Sequence, residues 1–193
     1  METQAPAGSA ATKDNSALTY GLLALVVVLS LVFAFASAWY SNWYAVFRVI
    51  HVIVALVWVG GGTLLVVLGV LAEKRNDPHE LATIARQAAF VGERIFAPAG
   101  LVVFVMGVAM MINTDWGWGK FWVIFGLIGY AATFAVGIGV LSPLAKRVAQ
   151  SVEDNGPEHP DSVALVQRLL FIGRFDIALL LIVVADMVTK PFS

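Results

Sequence analysis

The sequence predicts an all-α protein, a polytopic transmembrane bundle of five spanning helices with its amino terminus cytoplasmic and its carboxyl terminus outside. Three observations carry that expectation. Of 193 residues, 60% are hydrophobic and only 13% are charged. Five apolar runs come close to or exceed the ~20 residues that take a helix across ~30 Å of hydrocarbon. Basic residues gather in alternate joints between those runs, as expected of loops held on the cytoplasmic side. No polar stretch is long enough for a separate globular domain of about 50 residues, so any chemistry belongs in or beside the bilayer. The chain has no cysteine, which excludes disulfides, thiolate metal sites, cysteine-ligated iron–sulfur clusters and covalently attached haem. A net charge of −1 conceals an uneven distribution and points to no nucleic-acid partner.

Residues 1–16 hold too few apolar side chains to offset ordering entropy and read as a flexible cytoplasmic tail; residues 17–193 read as one transmembrane domain. The first run spans Leu18 to Ser37. Ala36, Ser37 and Ala38 resemble a signal-peptidase site, but Lys13 is balanced by Glu2 and Asp14, so an uncleaved anchor is expected. The second run, Ala45 to Ala72, is longer than a span requires. Its Gly60, Gly61 and Gly62 offer either close helix packing or room for a ligand.

Asp77, Pro78 and Glu80 supply a cap, a first-turn proline and a capping-box acid. A helix is expected from there, with Leu81, Ile84, Ala85, Ala88, Val91 and Ile95 on one face lying at the interface. The third span, Ile95 to Ile112, then enters at Pro98. The fourth, Phe121 to Leu144, carries Gly129, Thr133 and Gly137 at intervals of four, a stripe that admits another helix closely. Asn155, Gly156 and Pro157 form a turn. A helix starting at Asp161 or Ser162 leads into the fifth span, Leu169 to Val188.

Nine of the twelve Lys and Arg residues fall on one side: Lys13, Lys74, Arg75, Arg86, Arg94, Lys146, Arg147, Arg168 and Arg174. Arg48, Lys120 and Lys190 fall on the other. Trp39, Tyr40, Trp43, Tyr44, Trp116, Trp118 and Trp122 collect in the outer joints, as interfacial aromatic rings do. The expected location is the cytoplasmic (inner) membrane of a bacterium, as a multi-pass protein.

His51 lies within the second apolar run, where an ionisable side chain needs a partner or a task. Arg48, His51, Ala55, Trp58 and Gly62 follow at steps of three and four and share a helix face that should point into the bundle. The second helix descends from the outside while the fifth climbs toward it, so His51 and Asp186 reach similar depth, roughly 5 to 10 Å below the outer interface. Met110, Met111 and Met187 lie at a comparable level and add soft sulfur donors. Three readings of this constellation stand side by side. Asp186 pairs with Arg48 or His51 as a structural clasp; His51, with Met110, Met111 or Asp186, binds haem or a metal; or His51 and Asp186 move protons. Nearer the cytoplasmic side, Asp176, Arg174 and Arg94 are expected to form an inner ion pair. His79 and His159 read as solvated loop residues. Phosphate-loop, Ser-His-Asp and zinc-protease patterns are not found.

The stretch Arg48 to Gly62, RVIHVIVALVWVGGG, resembles a group of small bacterial membrane proteins with a histidine followed by a tryptophan and glycines. It is similar to uncharacterised predicted integral membrane proteins classed as a domain of unknown function. More distantly it resembles the copper resistance protein D type and the HemJ-type protoporphyrinogen oxidases. The resemblance covers helices two to five loosely. It implies the same helical fold, a haem-associated role for His51 with Trp58 and Arg48 beside it, or copper handling by His51, Met110 and Met111. The extra first helix and the GG after Val59 depart from the enzyme pattern. The expectation is therefore an accessory or structural component of a membrane assembly, with b-type haem or copper at His51 as the alternative. Its expected partners are the lipid bilayer and either further copies of itself or a larger complex.

Overall fold

The computed structural model describes the backbone of residues 16–39 and 42–192, with side chains over 20–36 and 42–192. Within these, every element is helical. Five rods run α1 (Ser16–Trp39), α2 (Trp43–Arg75), α3 (Pro78–Ile112), α4 (Phe121–Asn155) and α5 (Pro160–Thr189). Ser16 is already helical; the rest of the expected tail, Tyr40, the Trp39 ring and the small residues Ser37 and Ala38 lie outside the described side chains. By length and composition α2, α3 and α4 can each cross a membrane. The apolar helix Tyr20–Ala36 is shorter, and α5 carries Arg174, Asp176 and Asp186.

Two joints the sequence separates are continuous. The helix starting at Pro78 does not lie apart from the third span: Pro78–Val91 passes through a π-helical turn, Gly92–Phe96, directly into Ala97–Ile112. Likewise Phe121–Val136 passes through a π turn, Gly137–Leu141, into Ser142–Asn155. Each π turn starts at a glycine and ends two residues before a proline, Pro98 or Pro143. A proline ring removes one donor and collides with the carbonyl four residues back; widening the preceding turn relieves the collision without breaking the rod. At 1.5 Å per residue, rods of this length reach about 50 Å and outlast a ~30 Å hydrocarbon layer.

Local signals set the rod ends. The Asp77 carboxylate accepts from the His79 and Glu80 amides, both at 3.0 Å. Glu80 does not close the capping box; it pairs with Arg75 at 2.9 Å. Helix α5 starts one residue earlier than expected, capped by His159, whose Nδ1 accepts from the Asp161 amide. That residue is therefore a cap as well as a loop residue.

Helices α2 to α5 form a ring in that order, with α1 against the outside of α2. At the end of the rods that carries the α2–α3 and α4–α5 joints, labelled inner after the sequence expectation and the opposite end outer, lies a continuous core of Ala85, Leu144, Ala145, Val148, Val166 and Leu169, crossed by a 2.8 Å hydrogen bond between buried Ser162 and Ser151. The outer end closes around Met111, Trp122 and Val123 with Trp116, Leu127 and Met187. Between them, glycines set the spacing. A Cβ at Gly129 would meet Val183 of α5 at 2.3 Å, one at Gly62 would meet Ile177 at 2.6 Å, and one at Gly69 would meet Leu170 at 2.4 Å. Gly137, the third member of the stripe on α4, faces open space.

Adding one methyl at two positions of that stripe separates contact from space. Gly129→Ala forces α4 from α5 and should lower unfolding stability in detergent by about 1–3 kcal/mol; Gly137→Ala should change it by less than about 0.5 kcal/mol. Equal losses in thermal unfolding would mean that the stripe is not the packing seam.

Candidate functional site

His51, the residue that organised the expected outer site, is half-buried and turned toward α3. The Val103 carbonyl accepts a 2.8 Å hydrogen bond from His51 Nδ1, and the ring packs on Gly107. With the proton on Nδ1, Nε2 holds the lone pair. Asp186 is buried at 7% exposure and faces α4, where its Oδ2 lies 3.6 Å from the position a Cβ on Gly126 would take. That oxygen has no hydrogen-bond partner. No hydrogen bond or ion pair among the described residues joins Asp186 to His51 or Arg48, so the expected clasp is not formed: α2 turns His51 toward Val103 and Gly107, while α5 sets Asp186 by Gly126. Arg48 is exposed and lies over the Tyr44 ring at 5.6 Å.

Met111 is packed with Trp122 and Met187, and no group of three His, Asp or Glu forms among the described residues. His51 offers haem an imidazole whose tautomer a backbone carbonyl fixes, a usual arrangement for a ligand histidine. His51 is not among the residues that line the cavity described below.

At the outer end Lys190, in the left-handed conformation past α5, lies 3.3 Å over Trp116 and 5.1 Å from Trp122. Partial burial, with the Arg48 charge nearby, holds its ammonium below the ordinary lysine value. Together with Tyr44 on Trp116, it forms a cluster of aromatic rings around one cation at this end of the ring.

The feature that sequence reasoning missed lies in the middle and inner half of the ring. A cavity of about 500 Å³, partly open to the surface, lies between α2, α3, α4 and α5. Trp58 and Phe134 stand at its outer end, edge to face at 6.4 Å, and Trp58 meets Tyr130 in the same way at 5.9 Å. Tyr130 in turn donates to the Gly100 carbonyl at 3.1 Å. Both π turns border the cavity, through Gly92 and Phe96 on one side and Gly137 and Leu141 on the other. Such turns concentrate at functional positions. Its size falls within the range of small-molecule pockets.

Three charged residues line this apolar space: Glu93, Lys146 and Asp176. Glu93 and Lys146 pair at 2.9 Å with more than half of each side chain exposed, so the cavity reaches the surface there. Asp176 is different. Its Oδ1 is buried without a hydrogen-bond partner. The expected ion pair with Arg174 does not form, because residues two apart leave a helix on different sides and Arg174 reaches across to Glu73 of α2 instead. Residues that signalled the cavity were present: the Gly60–Gly62 run, Gly137 and a carboxylate in an apolar helix.

A buried carboxylate oxygen without a partner is a cost to folding. Asp176→Leu should therefore raise unfolding stability by about 1–3 kcal/mol, the mark of a residue kept for something other than the fold. A loss of stability in Asp176→Leu would assign Asp176 a structural role.

A family model described as predicted integral membrane protein (DUF2269) matches residues 45–191. The match takes in α2 to α5, the whole ring that encloses the cavity, and leaves α1 outside. No curated protein and no solved structure matches the chain. The chain belongs to the DUF2269 family of predicted integral membrane proteins.

Proposed function

We propose that this integral membrane protein is a binding protein whose helical ring holds a small lipophilic molecule, serving a larger membrane assembly as an accessory component. One observation carries the reading: a cavity of about 500 Å³ with predominantly apolar walls inside the four-helix ring. A space of that size in a close-packed interior forfeits dispersion contacts and hydrophobic burial. A lipophilic occupant restores both.

In the same reading all five helices span a bacterial cytoplasmic membrane, with the amino terminus inside. This is supported by the clustering of Lys74, Arg75, Arg86, Arg94, Lys146, Arg147 and Arg168 near one end of the rods, with Lys120, Lys190 and the tryptophans near the other. Within the expected span Leu169 to Val188 the three charges turn from lipid: Arg174 pairs with Glu73, Asp176 borders the cavity and Asp186 is buried.

A second reading, haem at His51, is favoured by the His51–Val103 hydrogen bond alone. His51 would supply an axial ligand, and a second copy of the chain would have to complete the enclosure. A visible absorption band in purified protein, lost in His51→Ala, is its signature.

For the cavity, mass spectrometry of an organic extract of purified protein should find a molecule in near-stoichiometric amount. Gly137→Phe, which projects a ring into the space, should deplete it at least about tenfold. Equal retention in this variant contradicts the reading. The absence of native cysteine makes orientation direct to measure. Lys120→Cys should react with a membrane-impermeant maleimide in intact cells, and Gly156→Cys only after permeabilisation; the reverse pattern inverts the topology.

A further inference from the structure

We propose that the cavity accepts a cationic amphiphile, an amine or ammonium group on a hydrocarbon body, with Asp176 holding the charged head; this rests on the cavity-binding reading. The argument starts from charge. Of the three charged residues lining the space, Glu93 and Lys146 neutralise each other at 2.9 Å. That leaves one carboxylate. Arg174, two residues earlier on the same helix, is engaged by Glu73 and does not serve Asp176. The buried Oδ1 of Asp176 is thus an acceptor without a donor in a wall otherwise formed by residues such as Val66, Leu170 and Ile177.

An anionic ligand would set two negative charges in a low-dielectric space. A purely hydrocarbon one would leave the acceptor unmade. A cationic head with N–H donors satisfies both demands by a charge-assisted hydrogen bond. The rings at the cavity favour the same chemistry. Trp58, Phe96 and Phe134 all line it, and aromatic faces attract ammonium groups, tryptophan most strongly. Phe96 packs on Gly61 while Ile177, the neighbour of Asp176, packs on Gly62, so an aromatic ring and the carboxylate border the cavity at adjacent levels of α2. The apolar remainder of the walls suits a hydrocarbon tail. No covalent step is involved.

The test uses the full-length protein in lipid nanodiscs with 11-bromoundecylamine and 11-bromoundecanol as probes. Bromine quenches nearby tryptophan, and the emission of Trp58 is isolated as the difference between the unaltered protein and Trp58→Phe. The amine should quench that difference at a concentration at least about tenfold lower than the alcohol, the gain expected of a charge-assisted hydrogen bond. Asp176→Asn should bring the amine to the level of the alcohol, while Asp176→Glu should keep the preference. Equal potency of the two probes in the unaltered protein, or an amine preference that survives in Asp176→Asn, overturns the assignment while leaving the cavity a binding site. Failure of both probes to quench Trp58 overturns the cavity-binding reading itself, and this proposal with it.

Discussion

The architecture depends on how two prolines are accommodated in helices that must keep their backbone groups satisfied. In hydrocarbon an unpaired N–H or carbonyl costs several kcal/mol, so a rod carrying Pro98 or Pro143 has to mend its hydrogen bonding locally or find partners outside. Both rods mend it in the same way, by a π turn beginning at a glycine. This keeps α3 and α4 continuous through 35 residues each and lets their inner halves pack together on α5. It also sets Gly92 and Gly137, which have no side chain to fill space, on opposite walls of the central cavity.

Packing is unequal along the ring for a related reason. Where glycines meet branched side chains, at Gly129 with Val183, Gly62 with Ile177 and Gly69 with Leu170, the backbones approach closely. Between the outer halves of α3 and α4 the direct contact is slight, and a layer of rings does the filling: Phe104 stacked on Tyr130 at 5.2 Å, Tyr130 on Phe134 at 5.4 Å, and Trp58 against both of the last two. The cavity lies inward of that aromatic layer and ends at the inner core. Its one uncompensated charge, Asp176, lies on α5 between Arg174, which is paired with Glu73, and Asp186, which is buried between helices.

Much of this was legible in the chain and some was not, for reasons that differ by residue. Apolar runs, the Asp77 cap and the aromatic outer joints report local physics, and the helices appear where those signals lie. Rod continuity was hidden because proline ordinarily ends a helix, and only the glycine six residues upstream hints that the turn can widen. The inward face of Trp58 and Gly62 followed from helical spacing. Residue counting on His51 and Asp186 addresses depth alone; the direction each faces depends on how α2 and α5 are rotated against their neighbours, where His51 meets Gly107 and Asp186 lies by Gly126. Asp176 looked paired because Arg174 is close in sequence, but the partner of Arg174 is Glu73, 101 residues away from it. A cavity is a deficit of volume shared by four helices, and no single segment encodes it.

The most direct test of the central claim is an experimental density map of the protein in lipid nanodiscs, resolved well enough to see side chains around Trp58 and Asp176. The account predicts ordered non-protein density bounded by α2, α3, α4 and α5, with its polar end against the Asp176 carboxylate. A ring collapsed on itself, its centre filled by side chains and Asp176 paired with an arginine of the chain, would contradict it.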